Sequence, residues 1–239
     1  MARATTGPRF LVGTSGYSYA PWRGKFYPKD IASDEMLKFY SSVFGTVEIN
    51  HSFYRMPTPP LLTTWRRQTP LRFRFALKAP QRITHHLRLK DAAEPAREFI
   101  RRADTLGEKL GPLLFQLPPH LRADCERLEE FLRVLPQGSE PVFEFRHASW
   151  FTEEVYGVLA AHRAALCIAD TESLTTPLVA TAPFGYVRLR RDDYSPAELA
   201  DWAGKLKEIT RWKRVYVFLK HDEAGRAPEL ASAFIGALG

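Results

Sequence analysis

The chain has two cysteines, Cys125 and Cys167, among 239 residues. Two thiols without metal-ligand spacing exclude a disulfide framework and a compact cysteine metal centre, and they read as buried small hydrophobes of a reducing compartment. No run of about 18 apolar residues occurs, which excludes a helical membrane span. The N-terminal stretch MARATTGPRFLVGTSG carries positive charge but neither the apolar centre nor the small-residue cleavage pattern of a secretory leader. A soluble, cytoplasmic protein that makes no use of a membrane is expected. No G-x-G-x-x-G follows the first apolar run and no H-E-x-x-H occurs, so the dinucleotide and compact zinc signatures are missing. A Pro/Gly/Ser-rich linker is lacking too, and residues 1–239 read as one domain.

What is present is a repeating pattern. Runs rich in Val, Ile, Leu and Phe recur as RFLVGT (9–14), TVEIN (46–50), FRFALK (73–78), LLFQL (113–117), VFEFR (142–146), ALCIAD (165–170), YVRLR (186–190) and RVYVFLK (214–220). Most are separated by stretches of helical period, an alternation that argues for βα units around a parallel sheet. Helix starts are marked: Ser195 and Pro196 with Glu198 form a capping box, Thr58 precedes Pro59, Asp124 opens a third helix and Pro228 a last one. Eight such units in a chain of this length predict a TIM-like (β/α)8 barrel, with an irregular or missing helix after strand six, where TESLTTPLVATAP (171–183) lacks periodicity. The competing architecture is a doubly wound open sheet, against which the missing glycine fingerprint counts.

Strand alternation then sorts the polar residues. In VFEFR, Glu144 and Arg146 share the face opposite Phe143 and Phe145; in TVEIN, Glu48 and Asn50 oppose Val47 and Ile49. Lys78, Gln116, Asp170, Arg188, Arg190 and Lys220 stand at or near the ends of other strands, the end where such barrels place their chemistry. Glu144 with Arg146, or Glu48 with a nearby lysine, also reads as a structural salt bridge. The surplus of cations over acids in this set, echoed by a net charge of +7, favours a small anionic or phosphorylated ligand. Arg188, Lys220 and Arg146 would hold the anion, while Glu48, Glu144 or Asp170 would move a proton. Arg190 reads equally as a plain surface residue of the RRDD turn. Aromatics directly after strands, Tyr17, Tyr19, Trp22, Phe53, Tyr54 and Trp150, suggest a stacked rim, with simple loop packing as the alternative for Trp22 and Trp150. In GTSG, Gly13 and Gly16 could let backbone donors approach an anion.

Two further readings stay open. A divalent metal could be gathered from Glu48, Glu144, Asp170, His147 and His221, although no motif assigns a cofactor. The basic segment Arg82, His85, His86, Arg88 and Lys90 could contact nucleic acid. A non-catalytic barrel that binds a metabolite is the third class, and the sequence leaves the oligomeric state open.

The segments GTSGYSYAPWRGKFYP, TVEINHSFYR, FRFALKAPQRITH, KLGPLLFQLPP, FEFRHASWF, IADT and YVRLR, in this order, resemble the YecE-like family, catalogued as domain of unknown function 72. The resemblance implies a TIM-like barrel and no particular reaction. It marks Gly13, Ser15, Gly16, Trp22, Glu48, Asn50, Phe53, Tyr54, Lys78, Pro80, Gln116, Glu144, Arg146, Trp150, Asp170 and Arg188 as motif positions. The chain departs from it after the seventh strand, with LRRDDYS in place of a Leu-His-Gly pattern, and after the eighth, with FLKHDEAGRAP in place of an aromatic-Asn-Asn pattern. Lys220, His221 and Asp222 would then define a subgroup. At fold level the family is also similar to abasic-site endonucleases on metal-bearing barrels, which adds weight to the nucleic-acid reading.

Overall fold

A computed structural model describes residues 7–220 and 225–239. Strands β1 (Arg9–Thr14), β2 (Thr46–Ile49), β3 (Arg74–Lys78), β4 (Leu110–Gln116), β5 (Pro141–Glu144), β6 (Ala165–Asp170), β7 (Phe184–Leu189) and β8 (Arg214–Leu219) form one parallel sheet. Around it lie α1 (Met36–Val43), α2 (His51–Tyr54), α3 (Pro59–Gln68), α4 (Ala93–Ala103), α5 (Cys125–Arg133), α6 (Glu153–Ala161), α7 (Pro196–Lys207) and α8 (Arg226–Ala237). No helix joins β6 to β7, as the aperiodic 171–183 segment predicts. The order β1-β8-β7-β6-β5-β4-β3-β2 leaves β1 and β2 as neighbours at a seam. A parallel bridge between Ser15 and Glu48, with Gly16 N–H donating to the Glu48 carbonyl at 2.7 Å, ties that seam at the strands' C-terminal ends. The result is a nearly closed TIM-like barrel.

Two residues make the seam workable. A Cβ on Gly13 would lie 2.0 Å from the Thr46 carbonyl oxygen, so only glycine lets the two backbones approach. Lower down, the buried Tyr40 hydroxyl takes the place of ladder hydrogen bonds: it accepts from the Thr14 N–H at 2.8 Å and donates to the Thr46 carbonyl at 3.1 Å. Buried backbone groups left without such partners are costly.

Alternation divides the core in two. Leu11, Ala76, Leu114, Val142, Ala165, Cys167, Tyr186, Tyr216 and Phe218 fill the interior, and the opposite parity packs under the helices. Phe143 and Phe145 take the helix-facing side. Cys167 is buried inside; Cys125, at the first position of α5, is only half-buried, which corrects its expected burial. Ser195 and Glu198 form the expected capping box and Asp124 accepts from Arg127 N–H at 3.0 Å, whereas Thr58 occupies its cap position without a cap hydrogen bond. The last helix opens two residues ahead of Pro228, after Gly225 at φ 79°. Among the described residues no helix is long and apolar enough to cross a membrane.

Candidate functional site

At the C-terminal end of the barrel a cavity of about 550 Å³ opens, and its charged lining is one carboxylate, Glu144, against Lys78, Arg146, Arg188, Arg190 and Lys220. Ser15, Tyr19, Asn50, Tyr54, Gln116 and Thr171 complete the wall. Parity explains who arrives. Glu48, Lys78, Gln116, Glu144 and Arg188 each follow an inward residue two positions earlier on their strand: Thr46, Ala76, Leu114, Val142 and Tyr186.

Beneath the cavity lies a closed charge network. Arg188, 2% exposed, reaches across the interior from β7 and donates from one terminal nitrogen to Glu48 Oε1 at 2.8 Å and from the other to Glu144 Oε2. Glu48 is further satisfied by Ser15 Oγ at 2.8 Å, Asn50 Nδ2 at 3.0 Å and Tyr186 Oη at 2.8 Å. Burial alone would push the Glu48 carboxyl up; the Arg188 and Arg190 charges, with the Tyr186 and Ser15 hydroxyls, overcome it and hold it at about 2. Glu144 is likewise held low against its burial by Arg188, Arg190 and the Gln116 amide. Both carboxylates are therefore fixed in the ionised form.

Above them, Gln116 links carboxylate to lysine: its Nε2 donates to Glu144 Oε1 at 2.7 Å and its Oε1 accepts from Lys78 Nζ at 2.8 Å. Lys78 also lies 4.0 Å from the centre of the Phe53 ring. Burial, then the neighbouring Arg188, pulls the Lys78 ammonium down to about 8, with Glu144 and Glu48 opposing. Arg146 is exposed at the rim and Arg190 half-buried in the wall; neither guanidinium has a hydrogen-bond or ion-pair partner among the described residues. The Arg188 charge, then burial, lowers the Arg190 pKa. Lys220 pairs with Asp192 at 2.6 Å.

Several sequence expectations change. Glu144 pairs with Arg188 and not with Arg146, because β5 ends at Glu144 and Arg146 continues onto the rim. Glu48 pairs with the same arginine and not with a lysine. Arg188 lines the cavity with both terminal nitrogens on carboxylates, while its Nε has no hydrogen-bond partner among the described residues. Asp170 lies on the helix-facing parity of β6 with Leu166 and Ile168, and does not line the cavity. It accepts from Thr175 Oγ1 at 3.0 Å, Arg191 Nε at 3.0 Å and Tyr194 Oη at 2.9 Å.

Trp22 and Trp150 are buried away from the mouth. Trp22 packs against Tyr19, Phe26 and Tyr27, while Trp150 stacks on Phe145 at 4.4 Å and donates from Nε1 to the Leu121 carbonyl at 2.8 Å. Tyr17 sits half-buried against Tyr40. Of the aromatic set, Tyr54, 73% exposed, and Tyr19 line the opening. Ser15 and Thr171 in the cavity wall and Tyr186 in its floor had no role in the sequence reading. Tyr186 carried a usable signal, since it shares the parity of Arg188 two residues on.

Among the described residues, those considered for a metal do not come together. Among the described residues no group of three His, Cys, Asp or Glu forms a ligand set; Glu48 and Glu144 are separated by Arg188, and His147 Nδ1 is engaged with Ser149 at 2.9 Å. His221 and Asp222 lie outside the described residues. In the basic segment a π-helical turn, Arg82–His86, leaves Arg82 and His86 exposed, and Arg88 and Lys90 follow on the surface. His85 instead turns its ring onto Phe53 at 4.9 Å.

The family profile described as "Protein of unknown function DUF72" matches residues 11–239. The UPF0759 protein YecE of Escherichia coli (strain K12) is 32% identical over 118 residues, 49% of this chain and 43% of that protein. The UPF0759 protein YunF of Bacillus subtilis (strain 168) is 34% identical over 140 residues, 54% of this chain and 49% of that one. The chain thus spans about half the length of the curated relatives it matches. Among solved structures, a DUF72 family protein from Thermotoga maritima is 30% identical with a TM-score of 0.86, covering 96% of this chain and 99% of that one.

Proposed function

The chain belongs to the DUF72 family, and from that premise we propose that its barrel mouth is an enzyme site for a small anionic substrate, a carboxylate or a phosphate ester. One observation carries this: among the described residues Arg146 and Arg190 are unpaired beside Lys78, over a floor whose two carboxylates already share Arg188. A concave, partly desolvated wall with residual positive charge favours an anion, and free guanidinium groups offer paired donors in the geometry a carboxylate or phosphate accepts.

The roles follow from which groups are already committed. Glu48 and Glu144 do not exchange protons near neutral pH; they hold Arg188 and orient Gln116. Lys78 is the group that can, because its ammonium sits near 8. Lys220, tied to Asp192, adds a partly neutralised cation to the rim.

The test is calorimetric titration of the protein with inorganic phosphate and with a simple phosphate monoester, repeated on Arg146→Met and Arg190→Met. Measurable binding is expected, weakened about tenfold or more in each variant, with an unchanged far-UV spectrum. Equal affinity in wild type and both variants would overturn the assignment.

A second reading rests on the exposed Arg82, His86, Arg88 and Lys90 with the exposed Tyr54 ring nearby in sequence to Phe53. Nucleic acid held there would bind with steep salt dependence, and an anisotropy series with single- and double-stranded probes that stays flat at low salt counts against it.

A further inference from the structure

We infer that Lys78 is a nucleophile that forms a covalent imine with a small carbonyl compound carrying an anionic group, the class that includes 2-oxo acids and sugar phosphates in their open forms. This rests on the anion reading of the same mouth, since Arg146 and Arg190 would hold the anionic part while the carbonyl carbon meets Nζ.

Lys78 is the last residue of β3, on the inward parity of Ala76, and it lines the cavity. Half-buried, it has partners unusual for a lysine kept for stability. Lys109, 5% exposed, donates to the carbonyls of Arg66 and Thr69 and so caps the end of α3. Lys220 has the Asp192 carboxylate. Lys78 has neither a carboxylate nor a backbone carbonyl among the described residues, only the neutral Gln116 amide oxygen at 2.8 Å. That amide cannot turn round: its nitrogen donates to Glu144 Oε1 at 2.7 Å, so its oxygen must face the lysine. A free amine satisfies this arrangement with one N–H and keeps its lone pair for a reacting carbon.

The surroundings also favour the free amine. Burial and the Arg188 charge bring the ammonium to about 8, whereas an unperturbed lysine stands at 10.5. At pH 7 roughly a tenth of the side chain is then neutral. Desolvation together with a neighbouring cation is a recognised way of activating a lysine.

The step balances without an outside oxidant or reductant. Loss of one proton from the ammonium exposes the lone pair, which forms a C–N bond to the carbonyl carbon as the C–O π bond breaks, giving a carbinolamine. A second N–H proton and the one first released leave with the former carbonyl oxygen as water, and the C=N bond forms. Ammonium plus carbonyl thus yields iminium plus water, and the positive nitrogen returns to its place beside Phe53, where the ring face favours a cation.

The experiment uses the full chain with glyoxylate, pyruvate or dihydroxyacetone phosphate in turn, each with sodium cyanoborohydride, followed by intact mass and peptide mapping. One reduced adduct on the Lys78 peptide is expected, suppressed by excess inorganic phosphate and missing in Lys78→Arg. In parallel, trace acetic anhydride at about pH 7.5 ranks the lysines by nucleophilicity in a way that does not depend on guessing the carbonyl. Lys78 should be acetylated about tenfold or more faster than exposed Lys38. Adducts scattered over surface lysines, or Lys78 no more reactive than Lys38, overturn the imine while phosphate binding leaves the anion site standing. An adduct on Lys78 that phosphate does not suppress supports the nucleophile and removes the anion site. Absence of both phosphate binding and adduct removes both.

Discussion

Replacing Arg188 with methionine leaves Glu48 and Glu144 buried and ionised without their shared counter-ion. Breaking a buried pair from one side costs about 3–5 kcal/mol, because the surviving charge has no water to return to, and urea denaturation at pH 7 should show a loss of that order. The pH dependence supplies the sign. With Arg188 in place the Glu48 carboxyl, near 2 when folded and 4.5 when free, contributes stability above its unfolded value that disappears as pH falls through the folded one. Without Arg188, burial dominates and the folded value rises above the unfolded one, so stability is retained at acid pH and lost on going up. The deficit of Arg188→Met should therefore shrink from pH 7 towards pH 4, and a deficit that stays constant would place the stabilisation elsewhere. Much of this residue-level picture was legible: alternation alone turned Glu48, Glu144 and Arg188 inward. Their partnership was not, because Arg188 contacts strands that are not its neighbours in the sheet, and a side chain crossing a barrel interior leaves no local trace in sequence.

At the scale of elements, the loop after β7 is held by Asp170. Arg191 ion-pairs to Asp170 and Glu198, Tyr194 hydrogen-bonds to Asp170 beneath the Arg191 guanidinium, and the Arg190 N–H donates to the Asp170 carbonyl at 2.8 Å. Arg190 thus starts from a fixed backbone. Asp170→Asn keeps the shape and removes the charge, so a stability loss of about 1.5–3 kcal/mol is expected from the weakened charged hydrogen bonds. If the loop aims Arg190, phosphate affinity falls several-fold as well, and calorimetry beside urea melts separates the two effects. The position of Asp170 could have been read from ALCIAD: Leu166 and Ile168 are bulky helix-facing residues, and Asp170 shares their parity. Grouping it by its place at a strand end hid that. The burial of Trp22 and Trp150 was harder to see, since a loop that folds back over strand ends and one that lines an opening use the same aromatics. In the structure the stacked Phe145 and Trp150 rings add about 0.5–1.5 kcal/mol beyond their buried area, which favours packing over exposure.

For the whole molecule, the decisive place is the seam between β1 and β2, where ordinary pairing is reduced to one bridge. Tyr40→Phe keeps the buried ring but strips the Thr14 N–H and the Thr46 carbonyl of their partner, and a loss of about 1–3 kcal/mol is expected. Urea denaturation should show it as a lower midpoint with an unchanged slope; an unchanged midpoint would mean that the strands pair without the tyrosine. The barrel itself was plain in the sequence because its signal is repeated: eight apolar runs and their intervening helical stripes agree with one another, and a misread unit is outvoted by the rest. Closure carried no such redundancy, resting on Gly13, the single bridge between Ser15 and Glu48 and one hydroxyl. The Glu48, Arg188 and Glu144 bridge has a consequence for descent. Loss of Arg188 alone strands two carboxylates in the interior, whereas an apolar trio of matching volume can be neutral or better. These positions, far apart along the gene, should therefore be inherited as a single character, and a lineage that loses the arginine should be found to have lost both glutamates with it.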